Sequence, residues 1–359
     1  MIAGLETGLQ RVGAASPALG AALERLLGRP GERLRFDGLE TLRRAQVHRV
    51  RFRAEGEPLA RALVIKRLSL DRSHREQRAL RCWLPNVGLE AHGAPLLEVV
   101  AAADGACVWH VYEDLGAGSL DALGDRLGAE GRAALALVAT LHLRFVAHPL
   151  LADCRTAGVD LGPGFFAAST GDALRSLAAL RGSPGLPESW GAPIDRLLER
   201  LVRLEGEADQ RARESRDLGW PETLLHGDPW LSNFVATSRE GRPHLHLIDW
   251  ERAGVGPAIY DLSTFLRQLA PVDRTEAIAQ YRSHVEPAGW PWPERPVLER
   301  LSEACELGRF ASFLQWRVLP VLDGLDRDGP PPWLLDDLVE IERWFAERTP
   351  LLPADRSAA

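Results

Sequence analysis

The chain has 359 residues, 45% hydrophobic and 26% charged, with 43 basic and 50 acidic side chains and a net charge of -7. That length allows a sizeable core in two domains or lobes, and the acid excess argues against a nucleic-acid partner. Cys82, Cys107, Cys154 and Cys305 show no CxxC or Cys/His spacing, the N-terminus lacks a leader pattern, and no apolar run is membrane-length, so the expectation is a cytoplasmic protein without disulfides or membrane contact.

Residues 1–29 read as helical, because Ala18, Leu19, Ala22, Leu23, Leu26 and Leu27 recur at helical spacing before Gly28 and Pro30. This helix is expected to pack outside the catalytic core. Residues 32–68 read as three strands, 32–36, 47–54 and one ending near Lys66, with residues 37–46 as a loop. In the second strand His48, Val50 and Phe52 share one face. Lys66 is the single lysine among 43 basic residues. Where arginine serves every generic need for a cation, a retained lysine points to a position that needs a compact ammonium.

Ser73-His74-Arg75-Glu76 starts a helix towards Trp83, and Ser-x-x-Glu reads as a capping box. Strands follow at 96–101 and 107–112, joined by a turn at Ala103-Asp104-Gly105, and the chain then leaves the second strand through Glu113, Asp114, Leu115 and Gly116. Beyond this point the pattern is mainly helical. Helices are expected at 132–146, from 194 to about 214, and at 260–269, 274–284, 297–319 and 333–347, with a frayed tail after Pro350.

The chemistry concentrates in Leu224-Leu225-His226-Gly227-Asp228-Pro229-Trp230-Leu231-Ser232-Asn233-Phe234 and, after a hairpin turn at Gly241, in Leu245-His246-Leu247-Ile248-Asp249-Trp250-Glu251. Two apolar runs each end in a carboxylate, and the first also carries an amide five residues on. This is the layout of a phosphoryl-transfer site: one carboxylate for the attacking hydroxyl, a second with an amide oxygen for magnesium. His244 and His246 alternate on the strand before Asp249 without a third ligand nearby, so they read as strand positions rather than a metal site.

H-G-D-x-x-x-x-N followed by an apolar strand ending in Asp resembles the aminoglycoside phosphotransferase and choline kinase superfamily. The Asp228-Pro229-Trp230 variant is also similar to its ecdysteroid-kinase-like branch. The resemblance implies an α+β, two-lobed, protein-kinase-like fold. Residues 1–114 would form an N-terminal helix and a nucleotide-binding small lobe with an antiparallel sheet. Residues 115–359 would form a helical large lobe holding the catalytic loop and acceptor site.

It further implies Asp228 as proton acceptor, Asn233 and Asp249 as ligands of Mg2+, and Lys66 on the phosphates of ATP. Glu113, Asp114 and Leu115 would lie at the adenine edge, Asp261 would be a structural acid, and His142 a structural histidine. Glu76 would pair with Lys66, an alternative to the capping box that the residues leave open. The loop at 37–46 would cover the phosphates, although it lacks GxGxxG, and Arg43 and Arg44 read more readily as a solvated pair than as phosphate ligands.

The implied activity is ATP-dependent transfer to a hydroxyl of a small molecule. The missing glycine-rich loop keeps open a second reading, a catalytically silent pseudokinase acting as a nucleotide-binding module. Residues 301–359 hold eleven acids against six arginines. As an acidic wall they would favour an amine-bearing acceptor such as an aminoglycoside or a choline-like alcohol; as solvated helix faces they would say nothing of it.

Overall fold

The computed structural model describes residues 2–347 apart from 3, 12–13, 15, 29–33, 44–45, 58–59, 103–104, 218–219 and 323–328. In chain order the elements are α1 (Leu5–Gln10), α2 (Pro17–Leu27), β1 (Leu34–Arg43), β2 (Val47–Ala54), β3 (Arg61–Ser69), α3 (Leu70–Arg78), β4 (Leu96–Ala101), β5 (Cys107–Glu113), α4 (Gly128–Phe145), α5 (Leu151–Ala157), β6 (Val159–Asp160), α6 (Phe165–Arg181), α7 (Gly191–Gly206), α8 (Ala208–Asp217), β7 (Glu222–Leu225), β8 (Phe234–Arg239), β9 (Arg242–Leu247), β10 (Gly254–Pro257), α9 (Ile259–Arg267), α10 (Pro271–Val285), α11 (Arg295–Leu322) and α12 (Pro332–Ala346). The chain forms two compact units. The first comprises Met1–Ala122, Thr156–Gly158 and Leu231–Ala253; the second comprises Leu123–Arg155, Val159–Trp230 and Gly254–Ala359.

The first unit is built on a five-stranded antiparallel sheet in the order β1-β2-β3-β5-β4. Period-2 alternation divides its strands between two faces. One face buries Val50, Phe52, Leu63, Ile65, Trp109 and Val111 beneath Leu5, Leu9, Leu19 and Leu23 of α1 and α2. Each such side chain contributes about 1.5–3 kcal/mol by leaving water. The opposite face carries Val64 and Lys66 of β3, with Tyr112 and His110 as their partners on β5. The β8–β9 hairpin belongs to this unit too. Its turn uses Glu240 and Gly241 at φ 53° and 75°, the left-handed pair that matches the twist of a two-residue hairpin.

Three expectations change here. Residues 1–29 are not one helix: the chain breaks after α1, and Ser16 caps α2 by accepting the Leu19 N–H at 3.3 Å, with Pro17 in its first turn. Residues 37–43 are not a loop but the second half of β1. Bulges at Phe36/Gly38 and Thr41/Arg43 shift the register twice, so the alternation that betrays a strand is lost in the sequence. The helix expected to begin at Ser73 begins at Leu70, with Ser69 as its N-cap residue. Ser73 therefore lies inside the helix, and no capping box forms. Residues 32 and 33 of the first predicted strand, Arg44 and the side chain of Arg43, Ala103-Asp104 and the tail after Pro350 lie outside the described residues.

The second unit is helical around a small sheet in which β10 pairs with β6 in parallel and with β7 antiparallel. Its main core follows from helical spacing: Ile194, Leu197, Leu201 and Leu204 of α7 and Leu334, Leu338, Ile341 and Phe345 of α12 meet Leu177, Ala311 and Leu314. The helix expected from 194 to 214 is divided into α7 and α8 at Glu207. Among the described residues no helix is long and apolar enough to cross a membrane.

Candidate active site

On the open face of the first unit's sheet lies a cavity of about 350 Å3, walled by Val47, Val64, Leu115, Val235 and Ile248 and containing Lys66, Glu76 and Asp249. Lys66 Nζ donates to Glu76 Oε2 at 2.9 Å and to Asp249 Oδ1 at 2.5 Å, and stands 3.2 Å from Glu251 Oε2. Burial works against the ammonium, but Asp249, Glu76 and Glu251 outweigh it and hold the lysine charged well beyond its ordinary range. Glu76 is itself 2% exposed. Burial pushes its carboxyl up and Lys66 pulls it back.

The β8–β9 hairpin brings the next two residues together. Phe234 pairs with Leu247, and one step beyond that pair the Ile248 N–H donates to Asn233 O at 2.9 Å. Asn233, fully buried, and Asp249 therefore flank the same end of the hairpin. Asp249 adopts φ 74° and ψ 58°, a left-handed conformation that costs a residue other than glycine about 1–3 kcal/mol. The turn after it is held from both sides. Trp250 Nε1 donates to Leu247 O at 2.7 Å, and Arg72 and Arg75 of α3 donate to Glu251. The carboxylates of Asp249 and Glu251 and the amide oxygen of Asn233 are oxygen donors, the kind that suits a hard cation such as magnesium.

Glu113, Asp114 and Leu115 line the same cavity. The Glu113 N–H donates to Pro95 O at 3.1 Å. Asp114 accepts from Arg49 Nε at 2.8 Å and Nη2 at 3.1 Å, and Arg49 Nη2 also donates to Gly116 O at 2.9 Å. This bidentate pair pins the segment leaving β5 to the middle of β2.

In the second unit β7 runs into His226-Gly227-Asp228. Gly227 has φ 82°, which only glycine takes without strain. Asp261, fully buried on α9, accepts the His226 N–H at 2.7 Å on Oδ2 and the Gly227 N–H at 2.9 Å on Oδ1. His142 Nε2 lies 3.3 Å from the same carboxylate, and its Nδ1 is 2.7 Å from the Tyr281 hydroxyl. One buried acid thus fixes the turn that presents Asp228. Trp230 Nε1 donates to Asp228 Oδ1 at 2.6 Å.

Of the sequence-predicted residues, the structure gathers Lys66, Glu76 and Asp249 at one point, sets Asn233 beside them on the hairpin, and places Glu113, Asp114 and Leu115 on the wall of the same cavity. Asp228 stands in the second unit. Glu251 and Arg49 were not singled out by the sequence, and Trp230 was noted only as a mark of the ecdysteroid-kinase-like branch. Glu251 sat two residues after Asp249 in the quoted motif, whereas Arg49 left no local signal. His244 and His246 have ring nitrogens bonded to Ala91 O and Gly93 O, pinning the segment before β4 rather than gathering a metal.

Among the described residues, five of the C-terminal acids are paired. Glu303, Glu306, Asp337, Glu340 and Glu342 each lie in an ion pair, with Arg211, Arg267, Arg317, Arg343 and Arg196 respectively. Asp323, Asp326, Asp328 and Asp355 lie outside the described residues.

The chain matches the phosphotransferase enzyme family over residues 52–298, more than half of its length. Among solved structures, the ethanolamine kinase of Plasmodium vivax aligns with a TM-score of 0.57 at 13% identity, covering 94% of this chain and 87% of that one. A spectinomycin phosphotransferase in complex with ADP and spectinomycin aligns with a TM-score of 0.50 at 11% identity, covering 89% and 90%. At these identities the likeness is one of fold, the protein-kinase-like phosphotransferase fold. No curated protein matches the chain in sequence.

Proposed function

Because the chain belongs to the phosphotransferase enzyme family, we propose that it moves the γ-phosphate of ATP to a hydroxyl of a small molecule. The observation that carries this reading is the set of groups at Lys66: a buried ammonium within 3.2 Å of three carboxylates, in a chain whose other 42 basic residues are all arginine. A structural cation could be arginine; a compact ammonium in a cavity suits phosphate oxygens.

In this reading Lys66 steadies the nucleotide phosphates and Glu76 holds Lys66 in place. Glu113, Asp114 and Leu115 line the adenine edge, and the Arg49–Asp114 pair keeps that edge still. Asn233 and Asp249, with Glu251 beside them, would hold Mg2+. When bound, the metal would neutralise charge on the phosphates. Asp228 orients the acceptor hydroxyl and takes its proton, on the support of its place in the H-G-D-x-x-x-x-N pattern and of the Asp261-anchored turn that fixes its backbone. The acceleration comes from positioning and charge neutralisation, with no covalent enzyme intermediate.

For the acceptor, amine-bearing alcohols are the first class to test, since the two structural neighbours are named for ethanolamine and spectinomycin. The ion-paired C-terminal acids lend this choice no support. Calorimetric titration with ATP and GTP, with and without magnesium, tests the nucleotide half. Turnover with aminoglycosides, choline-like amines, sugars and macrolide-like alcohols tests the other. Absence of any magnesium-dependent nucleotide binding by the wild-type protein overturns the proposal. Binding without turnover of any acceptor class favours the silent nucleotide-binding module.

A further inference from the structure

Beneath the cavity lies a set of polar side chains that the proposed mechanism does not use. Ser73, Glu76 and Gln77 fall at i, i+3 and i+4 on one face of α3, and His110 and Tyr112 at i and i+2 on one face of β5. Ser73, Glu76 and His110 are 2%, 2% and 0% exposed, and Tyr112 is 6% exposed. Gln77 Nε2 donates to Ser73 Oγ at 3.0 Å, Ser73 Oγ lies 2.7 Å from His110 Nε2, and His110 Nδ1 lies 2.8 Å from the Tyr112 hydroxyl. Burial and the neighbouring Glu76 carboxylate push the Tyr112 hydroxyl's pKa well up. Helix and strand are thereby joined by a continuous chain of hydrogen bonds from Gln77 to Tyr112.

The charge beside this chain sets its direction. The Glu76 carboxylate, paired with an ammonium, cannot donate and draws the Tyr112 proton towards itself. Its oxygen then accepts from His110, which places the histidine proton on Nδ1. His110 Nε2 becomes the acceptor, and Ser73 donates to it. Ser73 Oγ is then open to a donor, and the Gln77 amide nitrogen supplies one. The amide is held in that orientation from behind, since Arg81 Nη1 donates to Gln77 Oε1 at 3.4 Å. This sense requires a neutral imidazole, consistent with burial, helped by Lys66 and Arg81, driving the His110 pKa down to about 3.

We infer that Ser73, His110 and Tyr112 are positioning residues for the nucleotide site. Their hydrogen bonds tie α3 to β5 and so hold Glu76 of the same helix, and through it the Lys66 ammonium, in place; α3 cannot move away from β5 without leaving buried polar groups unpaired. In protein kinases the equivalent lysine–glutamate pair has to be in place for activity and is subject to control through the position of its helix. Here the cross-link makes the pair a permanent feature of the fold. The inference rests on the functional reading above, in that the pair must serve a nucleotide.

The test uses the full-length protein and four variants: Tyr112→Phe, Ser73→Ala, His110→Asn and His110→Leu. The affinity for MgATP is measured by calorimetry, kcat at saturating MgATP with an accepted acceptor, and the thermal midpoint in parallel. Tyr112→Phe deletes one oxygen, leaves the ring packing intact, and should weaken MgATP roughly tenfold, with kcat at saturating nucleotide within about threefold of wild type. Ser73→Ala should act in the same direction to a smaller degree. His110→Asn keeps one donor and one acceptor and should retain most of the affinity, whereas His110→Leu should lose as much as Tyr112→Phe. A Tyr112→Phe protein with a lower thermal midpoint and unchanged MgATP affinity overturns the inference, as do equal affinities for His110→Asn and His110→Leu. If His110→Leu does not fold, Tyr112→Phe and Ser73→Ala decide alone. A wild-type protein that binds no MgATP overturns the functional reading itself, and the inference with it.

Discussion

Replacing Lys66 by methionine keeps an unbranched side chain of similar length and removes only the charge. Glu76, Asp249 and Glu251 are then left with carboxylate oxygens within 4.8 Å of one another. At an effective dielectric of about 20 each pair of charges at that separation repels by at least about 3.5 kcal/mol, so discharging one acid relieves about 7 kcal/mol. Protonating a carboxyl with an ordinary pKa of about 4.5 costs about 3.4 kcal/mol at pH 7. Relief exceeds cost, and the folded variant should take up one proton that the unfolded chain does not hold.

The sign follows from that difference. An acid whose folded pKa is raised binds its proton in the native state, so stability falls as pH rises, by about 1.4 kcal/mol per unit for one proton. Between pH 5.5 and 7.5 the variant should therefore lose about 2.7 kcal/mol beyond any loss in wild type over the same range. The raised pKa of Lys66 itself contributes nothing here, because its stabilisation is present throughout this window and is lost only far above it. Urea denaturation of both proteins without nucleotide, at pH 5.5, 6.5 and 7.5, measures the difference. Adding Glu251→Gln to Lys66→Met leaves one repelling pair, whose repulsion of about 3.5 kcal/mol only just matches the protonation cost at pH 7, so the loss over the window should shrink to about 1.9 kcal/mol, with the flattening mainly above pH 7. A stability gap between variant and wild type that is equal at all three pH values, or that narrows as pH rises, refutes the reasoning.

Asp228→Asn should fold normally and bind MgATP, with kcat lowered by about 10²- to 10⁴-fold, since it keeps the shape and removes the proposed proton acceptor; calorimetry and turnover together check this. Asp249→Asn should weaken magnesium-dependent nucleotide binding by at least about tenfold while leaving the thermal midpoint nearly unchanged, because asparagine tolerates the left-handed backbone and Lys66 keeps Glu76 and Glu251. Asp261→Ala strips the acceptor from two buried N–H groups and should destabilise the protein by about 3 kcal/mol or more, with kcat lowered as the Asp228 turn loosens. Unchanged urea midpoints would show that the turn does not depend on Asp261.

What the sequence made legible was whatever it wrote locally. The Asp228 turn, the Gly241 hairpin and the strand into Asp249 each depend on residues within a few positions of one another. So do the helices of the second unit, whose apolar faces repeat at helical spacing. The misreadings were non-local. Ser73 matched a capping box because its partner, His110, is 37 residues away on another strand. The second half of β1 lacked alternation because bulges reset its register, and only pairing with β2 identifies it as a strand. Arg49 is one position of an alternating strand, and its partner Asp114 lies 65 residues on. The C-terminal acids were counted as a net charge, while their effect depends on arginines of α7, α8 and α9 and within α11 and α12.

Two departures from ordinary residue choice meet at the centre of the candidate site. One is the sole lysine of an arginine-rich chain; the other is an aspartate held at φ 74°, where glycine or asparagine would cost less. Neither departure is explained by stability. A buried ammonium among three acids leaves an excess of negative charge that hydrophobic packing would avoid, and a strained backbone adds to the cost. The surrounding structure over-determines both: the Ser73–His110–Tyr112 bonds hold the helix that carries Glu76, and Trp250, Arg72 and Arg75 hold the turn after Asp249. A fold that spends stability at one point and braces that point from several sides is the pattern of a functional site, and under the proposed function a metal-bound nucleotide would supply the cation that the three carboxylates lack.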